Sequence, residues 1–200
     1  QAMAACHDAR TVHLSPYTFD GIITSPPYSN RHDYSRVFQI ELLTLGYGED
    51  SIFQLRYDSL RSHVEAQPPK NMIAEEYRIP RTLQYCLEGL PTNIDPRIPK
   101  MLKGYCEDIY FVLRSVRQSI KQGGKMAFVV GNVRYGGVMI PIDEILVELG
   151  EMAEITWSGT WVIRLRGNSA QQMGKYNRIP ARESIVFFDR PIAYTCATGD

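Results

Sequence analysis

The 200-residue chain has no net charge, because 22 lysines and arginines offset 22 aspartates and glutamates. No global basic field therefore announces nucleic acid, and a nucleic-acid surface must come from local segregation of charge. Long apolar runs are also missing. None approaches the roughly 20 residues that a membrane helix needs, and the opening QAMAACHDAR lacks the apolar core of a signal peptide. Cysteine is sparse: Cys6, Cys86, Cys106 and Cys196 show neither metal-like nor disulfide-like spacing. They read as reduced thiols of a cytoplasmic protein. His7, His13, His32 and His63 contain no H-x-x-x-H spacing, so no metal site is expected. Repeats and low-complexity tracts are absent. What is present, 44% apolar and 22% charged residues, is the balance of a globular domain with a real core.

The apolar pattern alternates between strands and helices. FDGIIT, Phe19 to Thr24, reads as a short buried strand. Tyr34, Val37, Phe38, Ile40, Leu42, Leu43 and Leu45 have helical spacing, with Asp33 as a start and Gly46 as a stop. Residues 48 to 100 carry six prolines among charges and predict short helices with irregular connections, an insertion of the kind that is more often functional than empty. Leu102, Tyr105, Ile109, Val112, Leu113, Val116 and Ile120 then line one face of the clearest helix, ended by Gly123-Gly124. MAFVVGNV follows as a buried strand, MIPIDEILVELGE as a helix begun at Pro141, and AEITWSGTWVIRL and ESIVFFDR as strands joined by a polar loop. This order predicts an α/β sheet with helices on both faces and an antiparallel final strand. Ligands of open α/β sheets lie at the carboxyl ends of strands.

One such end carries Ser25-Pro26-Pro27-Tyr28. Two prolines fix two φ angles and leave their carbonyls without competing local N–H donors. A rigid carbonyl there can accept a hydrogen bond from an exocyclic amine, and Ser25 can offer its hydroxyl to the same ligand. The Tyr28 ring offers a face on which a planar group can stack. The plainer alternative is a stiff turn with Tyr28 as packing.

GIITSPPY resembles the (D/N/S)-P-P-(Y/F/W) signature of amino-methyltransferases, which methylate exocyclic amines with S-adenosylmethionine. The serine variant looks most like DNA methyltransferases acting on cytosine N4. The longer run SPPYSNRHDYSRVFQIELLTLG is similar to prokaryotic DNA modification methylases in which SPPY-x-N-x-x-D-Y leads into a helix. GGKMAFVVGNV looks like the strand after the catalytic one, and RESIVFF like the last strand of that fold. The resemblance implies a Rossmann-like methyltransferase sheet with a partly helical insertion at 48–100 as a target-recognition region or lid. It further implies that the target base is flipped out of the duplex. Ser25 and the Pro26 carbonyl would bind its amine, Tyr28 would stack on it, and methyl transfer would be direct, with positioning carrying the catalysis. No cysteine sits in a Pro-Cys motif, which argues against methylation at cytosine C5.

The family's acidic residue at the end of the preceding strand contacts the cofactor adenine, and Asp8 stands at the matching place; otherwise Asp8 caps a turn. Ser25 is also expected beside the cofactor. The F-x-G-x-G cofactor loop and the ribose-binding acid of the family are missing from this sequence. The expectation is therefore a single catalytic domain over 1–200, preceded in the same protein by a cofactor-binding half. DNA contacts are expected from Arg164, Arg166, Asn168, Lys175 and Arg178 around the loop 166–182, where Arg182 and Arg190 add charge, and Gln171, Gln172 and Asn177 add amides. Asn30 is a further substrate candidate. Asn30 and Asp33 either shape the pocket, or Asp33 caps the helix while Arg36 makes a structural ion pair. Arg56, Arg61, His63, Lys70, Arg78 and Arg81 of the insertion are a second basic candidate. The expected function is DNA cytosine-N4 methylation in a prokaryotic, nucleoid-associated setting, with a restriction endonuclease as partner. Adenine N6 of DNA, RNA, or a non-catalytic nucleic-acid-binding module are the alternatives.

Overall fold

The structure, a computed structural model, describes residues 4–69, 72, 75–166 and 179–192. Its elements in chain order are β1 (Phe19–Thr24), α1 (Tyr34–Val37), α2 (Gln39–Thr44), α3 (Glu49–Asp58), α4 (Arg81–Glu88) and α5 (Arg97–Ser119). They continue with β2 (Ile120–Gly131), β3 (Val133–Tyr135), β4 (Val138–Ile140), α6 (Ile142–Met152), β5 (Thr156–Arg166) and β6 (Ala181–Asp189). The fold is α/β. Its mixed sheet has the order β1-β2-β6-β5, with β1 and β2 parallel and β6 antiparallel to both neighbours. The final strand thus lies inside the sheet, and β1 and β5 form its edges.

Period-2 alternation sorts the strand residues between two faces. Met126, Phe128 and Val130 of β2 and Val186 and Phe188 of β6 are almost fully buried, in one cluster with α5 and α6. The opposite face carries Ile23, 86% exposed, and Trp161, 66% exposed and packed edge-on against Phe187. Leu102, Tyr105, Ile109 and Leu113 form the buried stripe of α5, as their spacing predicts. No helix among the described residues is long and apolar enough to cross a membrane. Cys86 and Cys106 are buried free thiols, and burial pushes both upward in pKa; Cys196 lies outside the described residues.

Four details depart from the sequence reading. β1, expected to be buried, is an edge strand whose residues are exposed or half-buried. The helix expected from Asp33 to Gly46 breaks at Phe38 into α1 and α2. The long helix ends at Ser119, not at Gly123-Gly124, because β2 already pairs with β1 at Ile120↔Phe19. Gly123, at φ 74°, belongs to the irregular start of that strand. Met139 and Ile140 belong to a small hairpin, β3–β4, and α6 begins only after Pro141.

Buried ion pairs tie the peripheral segments to this core. Asp108 of α5, wholly buried, accepts from Arg10 (3.2 Å) and from the backbone and guanidinium of Arg61 (2.8 and 2.6 Å). Gly104, one turn earlier, gives Arg61 its path, since a Cβ there would lie 2.7 Å from Arg61 Cδ. At the other end of the core, Asp143 at the start of α6 accepts from Arg182 (2.6 Å) and Ser184 (2.7 Å) of β6. Burial pushes the Asp143 carboxyl up, but hydrogen bonds from Arg182, Ser184 and Asn132 outweigh this and leave it below its usual 3.8.

Two expectations follow from this packing. Gly150 of α6 faces the ring of buried Phe188, and a Cβ there would overlap Phe188 Cε1. Alanine gains about 1 kcal/mol of helix propensity, while overpacking a core costs about 1–3 kcal/mol. Gly150→Ala should therefore lower the unfolding free energy by about 1 kcal/mol in a urea titration. A stabilised variant would show that the ring yields freely. For Asp143, the depressed pKa stabilises the fold above the unfolded-state pKa, and that contribution fades as pH falls through the folded value. The stability difference between the parent and Asp143→Asn should hold above about pH 5 and shrink on acidification; a difference unchanged at low pH would contradict the pairing.

Candidate active site

Strand directions bring four chain segments to one rim. β1 and β2 run parallel, β5 runs the same way, and β6 starts where they end. Ser25–Tyr28 at the end of β1, Gly131 at the end of β2, Arg164 and Arg166 at the end of β5, and Glu183 at the start of β6 therefore gather at one edge. Of the turn itself, Ser25 is exposed, Pro26 is buried, and Pro27 and Tyr28 are half-buried. Ser25 is thus accessible on a backbone pinned by the two prolines.

The Tyr28 ring reaches across β2. Gly131 permits this, because a Cβ at 131 would come within 2.9 Å of Tyr28 Cε2. Beyond it the Tyr28 hydroxyl donates to Glu183 Oε1, while Arg164 Nε donates to Glu183 Oε2. The Arg166 guanidinium lies over the Tyr28 ring, 5.5 Å from its centroid. Burial, and then Glu183, push the Tyr28 phenol above its usual value against the opposing pull of Ser25 and Arg166. The Tyr28 hydrogen bond, joined by Arg164, holds the Glu183 carboxyl below its usual value despite burial.

Behind the turn, Tyr135 of β3 donates its hydroxyl to the Ser29 carbonyl at 2.5 Å. Burial pushes the Tyr135 phenol well upward. The wholly buried Ser29 hydroxyl has no partner among the described residues. Asn30 accepts from the His32 backbone N–H at 3.1 Å, an Asx-type turn that shapes the exit from SPPY. Asp33 caps α1 through Ser35 (2.9 Å) and pairs with Arg56 (2.7 Å) and Arg36 (3.1 Å), so capping and ion pairing both occur. Beside Pro27 lies an apolar cavity of about 280 Å³ lined by Tyr34, Phe38, Leu42, Leu55 and Leu60.

Other expected site residues are distributed differently. Asn168, Lys175 and Arg178, with Gln171, Gln172, Asn177 and Lys70, lie outside the described residues. Arg190 is at the opposite end of the sheet, donating to the Arg117 and Ile120 carbonyls. Arg182 is held by Asp143 and Glu144. In the insertion, Arg56 and Arg61 are in ion pairs, Arg78 bonds carbonyls of its own segment, and His63 meets Ser59. These side chains hold the structure together. Asp8 places both carboxylate oxygens on Arg10, at 2.7 to 3.1 Å, with the Arg10 backbone N–H as a further donor. Four accepted bonds use the acceptor capacity of one carboxylate. Asp33, His63 and Glu65 do bring ligand atoms within 4.8 Å of one another. Arg56 and Arg36 already neutralise both carboxylates, so the group is an ion-pair cluster.

Sequence reasoning did not single out Gly131, Tyr135 or Glu183 as functional. Nothing local marks them, because their roles come from partners more than 100 residues away. Tyr135→Phe leaves the buried Ser29 carbonyl without its donor, at a cost of about 1–3 kcal/mol. Urea unfolding should register that loss, and an unchanged midpoint and slope would remove Tyr135 from the support of the turn.

No protein-family model matches the chain. The chain is 32% identical over 201 residues to the Type II methyltransferase M.BsoBI of Geobacillus stearothermophilus, covering 89% of this chain and 40% of that protein. It is 37% identical over 188 residues to the Type II methyltransferase M.AvaI of Nostoc sp., covering 86% of this chain and 38% of that one; the Anabaena variabilis M.AvaI gives the same values. Among solved structures, the putative DNA modification methylase TTHA0409 of Thermus thermophilus covers 96% of the chain at 12% identity and a TM-score of 0.47, with the chain matching 55% of it. Its complex with S-adenosyl-L-methionine gives 16% identity and the same TM-score. That likeness is too loose to carry a functional inference. The sequence matches, in contrast, extend over most of the chain. The chain is thus a relative of Type II methyltransferases and spans about two-fifths of the length of those it matches.

Proposed function

We propose that this chain carries the base-receiving part of an S-adenosylmethionine-dependent DNA methyltransferase, acting on an exocyclic amine, cytosine N4 before adenine N6. The observation that carries the reading is the rim itself. An exposed Ser25 and a proline-fixed carbonyl stand beside a tyrosine ring held from three other segments, in a chain related to Type II methyltransferases.

On this reading the target base leaves the duplex and stacks against Tyr28 at the position now covered by Arg166. The Pro26 carbonyl and the Ser25 hydroxyl accept hydrogen bonds from its amino group. Those bonds turn the nitrogen lone pair out of conjugation and toward the incoming methyl group. S-adenosylmethionine, when bound, supplies that methyl from a sulfonium. The chain's residues then act by orientation and by exclusion of water, which together can be worth several orders of magnitude in rate. Arg164 and Arg166 bring positive charge to the side from which a phosphodiester approaches.

The fit to the cofactor is weaker than the fit to the base. Asp8, expected at the cofactor adenine, is committed to Arg10, so no step is routed through it. That commitment favours a second reading, a nucleic-acid-binding module that kept the fold without transferring methyl groups. Titration of S-adenosylmethionine into the full-length protein separates the two.

Nucleoside analysis of DNA from cells expressing the full-length protein tests the first reading. N4-methylcytosine is expected, and Ser25→Ala and Tyr28→Ala should each reduce transfer by roughly 100-fold or more. Neither modified base in the DNA, or mutants that match the parent, would contradict it.

A further inference from the structure

The rim contains one buried charge that base binding alone does not explain. Glu183 is 5% exposed, although it sits on a strand otherwise patterned for a core. Burying a carboxylate is costly unless each oxygen is paired. Here each oxygen has one partner: Arg164 on the neighbouring strand, and the Tyr28 hydroxyl from the far side of β2.

We propose that Glu183 is a positioning residue that sets the plane of the Tyr28 ring, with Arg164 holding the carboxylate in place and Gly131 leaving the path open. The inference rests on the reading of Tyr28 as the base platform. An ionised carboxylate only accepts, so the Tyr28 hydroxyl must donate to it and its direction is fixed. The hydroxyl is thereby held toward Glu183, and the plane of the ring is set with the Arg166 guanidinium over it. A tyrosine anchored only at its backbone would rotate about two torsions, and a stacking platform is useful only if its plane is set before the base arrives. The chemistry of Ser25–Tyr28 thus depends on a residue 155 positions away on another strand.

The contact geometry distinguishes this role from plain structural support. Arg164 pairs with Glu183 across the β5–β6 ladder and is itself 65% exposed at its side chain. Arg164 thus restrains the carboxylate without burying a second charge. Gly131, directly opposite Glu183 in the β2–β6 register, is the position the ring must cross. All three contacts serve the orientation of one ring.

The test uses the full-length protein labelled with ¹³Cζ-tyrosine, with the Tyr28 signal assigned through Tyr28→Phe. Glu183→Ala should shift that signal and lower the methyl-transfer rate at saturating DNA and S-adenosylmethionine by roughly 10- to 100-fold, with S-adenosylmethionine affinity unchanged. Glu183→Gln, which keeps an acceptor oxygen, should recover most of the rate. In a Tyr28→Phe background, Glu183→Ala should cost nothing more, because both changes remove the same hydrogen bond. Independent, additive losses, or an unmoved Tyr28 signal, would overturn the proposal. If Glu183→Ala does not fold, the carbon signal of Arg164→Ala, which releases the carboxylate from its guanidinium, decides: a shift supports the clamp, and no shift overturns it. A wild-type protein that methylates no DNA would overturn the functional reading alone, since the carbon signal still reports on the clamp.

Discussion

The pairing of β2 governs the rest of the structure, because this strand accepts a parallel neighbour on one side and an antiparallel one on the other. The parallel pairing aims the end of β1, and so SPPY, at the same rim as Gly131. The antiparallel pairing brings the start of β6, and so Glu183, to that rim from the opposite chain direction. An all-parallel arrangement would have carried Glu183 to the far end of the sheet. Two registers, Thr24↔Phe128 and Gly131↔Glu183, then fix how far apart the turn and the carboxylate lie. A slip of one residue in either would turn every side chain to the other face.

A second constraint is the shortage of unpaired charge. A neutral chain that places Asp108 and Asp143 in its core must give each a guanidinium. Arg10 and Arg61 go to Asp108, and Arg182 goes to Asp143. Arg56 and Arg36 go to Asp33 and Glu65. Arg164 and Arg166 bring cationic charge to the rim, and both also touch the Tyr28–Glu183 pair.

These two constraints also explain what was legible beforehand. SPPY was readable because its rigidity is local, being set by the two prolines themselves. β1, the buried stripe of α5, and the antiparallel ending were readable from periodicity. The break at Phe38 was not, since helical spacing continues through it. Asp8 could be read as a cofactor ligand or as a turn cap; the structure shows it accepting from the Arg10 backbone N–H, as a turn cap does, and from the Arg10 guanidinium. Arg190 read as part of a basic loop, yet β6 carries it to the far rim. Glu183 read as one acid among many cations. Its significance depends on Tyr28 across an intervening strand, and no spacing rule spans 155 residues.

The central claim is that the rim at Ser25–Tyr28 receives an exocyclic amine and that this reception makes methyl transfer selective. The most direct measurement is transfer of a labelled methyl group from S-adenosylmethionine to unmodified genomic DNA by the full-length protein, with the labelled base identified after hydrolysis. The account expects the label on an exocyclic amine, and its loss in Ser25→Ala. Label at cytosine C5, or transfer that survives Ser25→Ala undiminished, would contradict it.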